Sequence, residues 1–214
     1  MGNTAPESTV PSAVAGVGGG GLRPVGHAGE RVARPNGWWG MAVFVATEAT
    51  LFGTLIGTYF YLQFNSAHWP PLGVPKPEVV LPVVLTAILV ATSVPVQLAV
   101  RGVRRGSAGA ARWLLAVAIL VQSAYFGIQV HLFLDDLDKF SPSANAYGSI
   151  YFTLIGAHHA HVFVGILLEL FLFMRLARGL TTYRMTGVEA TAFYWHFINV
   201  LALFVLLTQL SPRL

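Results

Sequence analysis

Five stretches of this chain are apolar for long enough to cross a lipid bilayer, and nothing else in the sequence constrains its fold as much. A membrane-spanning helix needs about 20 predominantly apolar residues. The stretches 38–64, 79–100, 113–134, 147–174 and 190–210 all meet that length. They predict an all-α fold, an integral membrane bundle of five transmembrane helices. Charged residues make up only 10% of the 214, where a soluble domain carries roughly a quarter. The gaps hold the turn and charge signals: Pro70, Pro71, Gly73, Pro75 and Pro77 in the first, Asp135, Asp136 and Asp138 in the third. Pro82 and Pro95 fall inside the second stretch and are candidates to kink it.

Residues 1–37 differ in kind. They are rich in Gly, Pro and Ala, with a run from Gly18 to Gly21 and no apolar segment long enough for a signal-peptide core. They are expected to form a flexible cytoplasmic tail ahead of a membrane domain over 38–214. The chain has no cysteine, which excludes disulfides, thiolate metal sites and cysteine nucleophiles. Its basic residues are spread over several loops rather than gathered in a stripe, so nucleic acid is not an expected partner.

Those basic residues predict the orientation. Lys and Arg accumulate in cytoplasmic loops. Ten of the thirteen would share one side: Arg23, Arg31 and Arg34 in the tail, Arg101, Arg104, Arg105 and Arg112 in the second gap, Arg175, Arg178 and Arg184 in the fourth. Lys76, Lys139 and Arg213 fall on the other. The N-terminus is therefore expected inside and the C-terminus outside. No internal repeat is visible, which argues against an inverted-repeat transporter.

Ionisable side chains within hydrocarbon are costly, so they mark a protein interior, a partner or a cavity. Here they are Glu48, His158, His159, His161, Glu169 and His196, with Gln122, Gln129 and Asn199 as neutral companions. Glu48 lies roughly 15 Å into the first stretch at about 1.5 Å per residue, near the midplane. It reads either as a functional carboxyl or as a polar tie between helices. His158 and His161 are three apart and are expected on one face with Gly165, where small residues allow close helix approach. The His158–His159–Ala160–His161 run also admits a second reading, ligation of a metal or haem together with His196. An expected mismatch in depth opposes it, because His196 lies only six residues from the start of the fifth stretch. Glu169 lies about six residues from Arg175 near the inner surface, a spacing that allows a pair without demanding one, and Glu189 and Arg184 can be solvated at the same interface. Trp38, Trp39, Trp69, Trp113 and Trp195 lie near stretch ends, as interface anchors do.

Taken in order, these residues resemble subunit III of the haem–copper terminal oxidases, the superfamily of cytochrome c and quinol oxidases. The similarity covers about residues 38–210. It rests on Gly40–Met41, Phe44 and Thr47–Glu48 in the first stretch. The fourth contributes Tyr147–Gly148–Ser149, Gly156, His158, His161–Val162 and Gly165, then Arg175. The fifth contributes Glu189–Ala190 and Tyr194–Trp195–His196–Phe197. Five spans match the shorter bacterial form. The chain departs from the family pattern at His159 (usually Gly), Asn199 (Asp), Ala202 (Trp), Leu85 (Asn) and Leu132 (an acidic residue).

The resemblance implies a non-catalytic subunit of an aerobic respiratory, proton-translocating oxidoreductase, of the aa3 cytochrome c oxidase type, in a bacterial inner membrane. Subunit I would be its main partner, with subunit II and other respiratory subunits nearby. It would hold phospholipid but no haem or copper, those belonging to the partner subunits. Glu48, His158, His161, Arg175 and His196 would line the lipid cleft and support proton uptake, with Gln129, Glu169, Glu189 and Asn199 as secondary candidates. The alternatives are subunit III of a quinol oxidase, a homologue associated with nitric oxide reductase, a small proton-coupled transporter and a membrane metalloenzyme.

Overall fold

The computed structural model describes residues 36–75 and 78–213. Apart from Asn36 and Gly37, the expected flexible tail lies outside the described residues, as does Lys76. Six α-helices follow one another: α1 (Asn36–Phe64), α2 (Val80–Ala91), α3 (Ser93–Arg104), α4 (Ala108–Lys139), α5 (Ala146–Leu176) and α6 (Thr182–Leu210). A single 3₁₀ turn (Ser211–Arg213) closes the described chain. With α2 and α3 counted as one crossing, five helices are long and apolar enough to span a membrane.

The α2–α3 crossing is broken at Thr92. Pro95 explains the position: it has no N–H to give the Ala91 carbonyl four residues back, and its ring crowds that carbonyl. Thr92 repairs part of the loss, its N–H reaching the Ile88 and Leu89 carbonyls at 3.3 and 3.1 Å and its hydroxyl donating to Leu89 O at 2.6 Å. Pro82 leaves α2 intact, because it lies in the first turn, where backbone N–H groups have no helical partner to lose.

Several helices outrun their apolar stretches. Helix α4 carries Asp135, Asp136 and Asp138 as helical residues rather than as a loop. Helix α6 begins at Thr182, capped by the Thr181 hydroxyl on Arg184 N at 3.2 Å. Hydropathy locates the membrane-embedded part of a helix, whereas caps and turns decide where it starts. The difference overturns two expectations. Trp195 is not an interface anchor; it is fully buried. His196 is not near a helix end either. It stands fourteen residues from Thr182, and His161 stands fifteen from Leu176. At about 1.5 Å per residue both lie roughly 21–23 Å along their helices from the α5–α6 turn.

The core is built around α5 and α6. Gly165 lets them close together: a Cβ at that position would lie 2.8 Å from the Trp195 ring. Helix α1 attaches along a narrow seam whose buried residues, Val45, Phe52 and Tyr59, are seven apart, the spacing that keeps one stripe of a helix on its neighbour. The α1 start, the end of α5 and the α6 start meet at one end of the bundle around a common cavity. At the other end Ser211 Oγ lies within hydrogen-bond distance of Tyr59 OH and Gln63 Oε1, at 3.3 and 3.0 Å, and Trp69 Nε1 donates to Tyr59 OH. The helices therefore alternate in direction as a multi-pass protein requires.

Candidate functional site

The membrane-embedded polar residues sort into separate groups, each held by a different pair of helices. The first joins α1 to α5. His161 Nε2 lies 2.8 Å from Glu48 Oε2, and its Nδ1 lies 2.7 Å from the Ala157 carbonyl. A carbonyl can only accept, so Nδ1 carries a hydrogen. The contact at Nε2 then needs one proton between the two groups, either on a carboxylic acid facing neutral imidazole or on an imidazolium facing carboxylate. Both arrangements have zero net charge, which is what a low-dielectric site tolerates. The two side chains are only 16% and 17% exposed. Phe52 packs edge-on against the His161 ring at 5.1 Å, and Tyr194 OH donates to His161 O at 3.3 Å.

His158 does not join this pair. The expected common face separates into two, because three residues along a helix leave two side chains about 60° apart. His161 faces α1, whereas His158 is buried between α5 and helices α2, α4 and α6, beside a cavity of ≈ 20 Å³. Gln129 shares that cavity and donates to Tyr125 OH at 2.9 Å. His159, one residue on, lies edge-on to Phe133 at 5.6 Å and Phe126 at 6.4 Å, a member of an aromatic cluster. Among the described residues, no three His, Asp or Glu side chains converge as a metal site.

A third group surrounds the helix break. Trp195 Nε1 donates to Thr92 Oγ1 at 2.9 Å, Asn199 Nδ2 to Ser93 Oγ at 2.5 Å, and His196 Nε2 pairs with Gln97 Oε1 at 3.1 Å. Three polar residues of α6 thus hold the break itself, at Thr92, and the start of α3 beyond it. Thr92, Ser93 and Gln97 went unremarked in the sequence. The signal was their grouping around a proline within an otherwise apolar span.

Glu169 departs from expectation. It is fully buried and accepts from Gln122 Nε2 at 3.2 Å, across the α4–α5 interface, instead of pairing with Arg175. Arg175 turns away. Its guanidinium lies over the Phe171 and Tyr183 rings at 5.3 and 5.7 Å and lines a mostly apolar cavity of ≈ 540 Å³ that also reaches Asn36, Met41 and Arg184. Glu189 is not simply solvated: it accepts from Arg104 Nε at 2.8 Å and ties α6 to the end of α3.

A carboxyl–histidine pair across α1 and α5, with Arg175 and Arg184 lining an apolar cavity at one end, places these motif residues in a single helix bundle. The sequence matches the family described as Cytochrome c oxidase subunit III over residues 26–210. The chain belongs to that family. It is 33% identical over 168 residues to the cytochrome bo(3) ubiquinol oxidase subunit 3 of Pseudomonas aeruginosa, covering 77% of this chain and 78% of that one. The cytochrome c oxidase subunit 3 of Bacillus subtilis is 30% identical over 173 residues, covering 79% and 83%. The quinol oxidase subunit 3 of Bacillus spizizenii is 31% identical over 172 residues, covering 79% and 82%. Subunits III of both oxidase types are therefore among its relatives.

Two of the departures from the family pattern have clear structural settings in this chain. Asn199 is the residue that bonds Ser93 beside the helix break. Ala202, small where the family pattern has a large aromatic, borders the His158 cavity.

Proposed function

We propose that this chain is the accessory subunit III of a bacterial haem–copper oxidase of the aa3 cytochrome c type, with its N-terminus inside and its C-terminus outside. It binds subunit I, with subunit II nearby, retains phospholipid and supports proton uptake. The haems and copper belong to its partners. The observation that carries this reading is the Glu48–His161 pair, a carboxyl–imidazole contact that holds a proton between α1 and α5. Arg175 supplies a cation for a lipid phosphate in the wall of a mostly apolar cavity of ≈ 540 Å³, which offers volume for acyl chains. His196, Asn199 and Glu189 position α6 against α3, and Glu169 with Gln122 ties α4 to α5.

The contact with subunit I is assigned to the outer face of α1. Thr47, Thr50, Thr54 and Thr58 are exposed there, each hydroxyl bonded to a carbonyl three or four residues back. Gly53 and Gly57 stand among them with no neighbouring atom within 4 Å of a Cβ. Small residues of this kind let a second membrane helix approach closely. The helix break does not favour a transporter, because the hydroxyls of Thr92 and Ser93 are bonded to α6.

Relatives named as quinol oxidase subunits favour a second reading, in which the same subunit serves a quinol-driven complex. Purification through a tag on this chain separates the two. Co-purified haem and copper with a dinuclear-copper subunit II supports the cytochrome c type, and co-purified haem without that copper centre supports the quinol type. A chain that purifies without any haem-bearing partner, or with stoichiometric metal of its own, overturns both. Within the complex, Glu48→Gln is expected to leave assembly intact and shorten the active lifetime during turnover. Unchanged lifetime with unchanged lipid content would remove the proton-uptake role.

A further inference from the structure

Behind the Glu48–His161 pair, the bundle holds a second polar site. Six polar side chains from four helices converge on the ≈ 20 Å³ cavity: Thr86 from α2, Tyr125 and Gln129 from α4, His158 and His159 from α5, and Gln209 from α6. His158 is only 3% exposed, and neither of its ring nitrogens has a hydrogen-bond partner on the described protein. A neutral imidazole presents one donor and one acceptor whichever tautomer it adopts. Leaving both unmatched in a buried, low-dielectric setting is costly.

We propose that the cavity beside His158 is a binding site for an ordered internal water molecule that bridges the imidazole to the Tyr125 hydroxyl. The volume suits it, since a cavity needs about 10–15 Å³ of this measure, and two to four polar partners, to hold one water. The hydrogen-bond directions suit it as well. Tyr125 OH already accepts from Gln129 Nε2 at 2.9 Å, so its own hydrogen remains to be donated. A water accepting that hydrogen has two of its own to give, one to a His158 ring nitrogen. Ala202 keeps the space open, because a larger side chain there would occupy it. The site is distinct from the Glu48–His161 pair, which faces α1.

Radiolytic hydroxyl labelling of the intact purified complex, read by peptide mass spectrometry, tests this, because a bound water generates the reactive radical in place. Tyr125, Tyr147 and Tyr194 are 3%, 1% and 0% exposed, so they are matched in residue type and burial. Tyr125 is expected to be oxidised several-fold faster than the other two. Ala202→Leu, which fills the cavity, is expected to bring Tyr125 down to the rate of Tyr194 and leave Tyr147 unchanged. Equal rates for the three tyrosines in the unmodified complex would show a dry cavity and overturn the proposal. That comparison decides the matter even if the Leu variant fails to assemble. A Tyr125 rate that stays high in an assembled Ala202→Leu complex would overturn it too, since the label would then arise elsewhere.

Discussion

Glu48 and His161 each carry a cost that only the other removes. Alone in hydrocarbon, either side chain would have to find water or lose its charge; together they hold one proton at zero net charge. Removing one partner is therefore worse than removing both. His161→Leu is expected to destabilise the subunit by about 3 kcal/mol, the lower end of the range for a broken buried pair, given the residual exposure of both groups. Glu48→Leu combined with His161→Leu should recover most of that loss. Thermal unfolding of the single and double variants in detergent checks it, and additive losses would show that the two side chains do not act as a unit. Gly165 makes a complementary case of shape. A methyl group there meets the Trp195 ring at 2.8 Å, so Gly165→Ala should cost about 1–3 kcal/mol through overpacking. An unchanged melting temperature would mean that α5 and α6 can separate more readily than their packing indicates.

At the level of elements, the break between α2 and α3 and the outer face of α1 make different demands. The break is held by α6, and each of its bonds resembles other interhelical hydrogen bonds in membranes, worth about 0.6 kcal/mol on average. Asn199→Leu should thus lower stability only slightly. Trp195→Ala, which removes both the bond to Thr92 and a fully buried ring, should cost about 3–5 kcal/mol. Similar melting temperatures for the two variants would place the strength of this junction in its hydrogen bonds instead of its packing. The α1 face is tested from outside. Gly53→Leu meets nothing within the subunit, so helicity by circular dichroism should persist while co-purification with haem-bearing subunits falls. Full co-purification would assign subunit I to another face.

Across the whole molecule, the two ends differ in chemistry. Arg104, Arg175 and Arg184 gather where α1 begins and α5 turns into α6. Asp136, bonded to Lys139 and to the Tyr151 hydroxyl at 3.0 and 2.7 Å, marks the opposite end. A cation beside an apolar cavity at the basic end suits the head group and chains of an anionic phospholipid. Arg175→Gln is expected to reduce the anionic phospholipid that co-purifies with the complex, as measured by lipid mass spectrometry, without changing subunit composition. Unaltered lipid content would separate the cavity from lipid retention.

The number of crossings was legible in the sequence because apolar length is a local property that no distant residue alters. So were the unusual positions, since an ionisable group in hydrocarbon stands out wherever its partner lies. The partners themselves were a tertiary decision. Glu48 and His161 are 113 residues apart, and whether they meet, or Glu48 meets His158, depends on the rotation of two helices about their axes. A rotation of about 60° separates the two histidines, and no local pattern records it. The same reason moved Glu169 to Gln122, buried Trp195, and set His196 against Gln97. Apolar stretches mark where lipid is, whereas polar pairing is fixed only when the helices have packed.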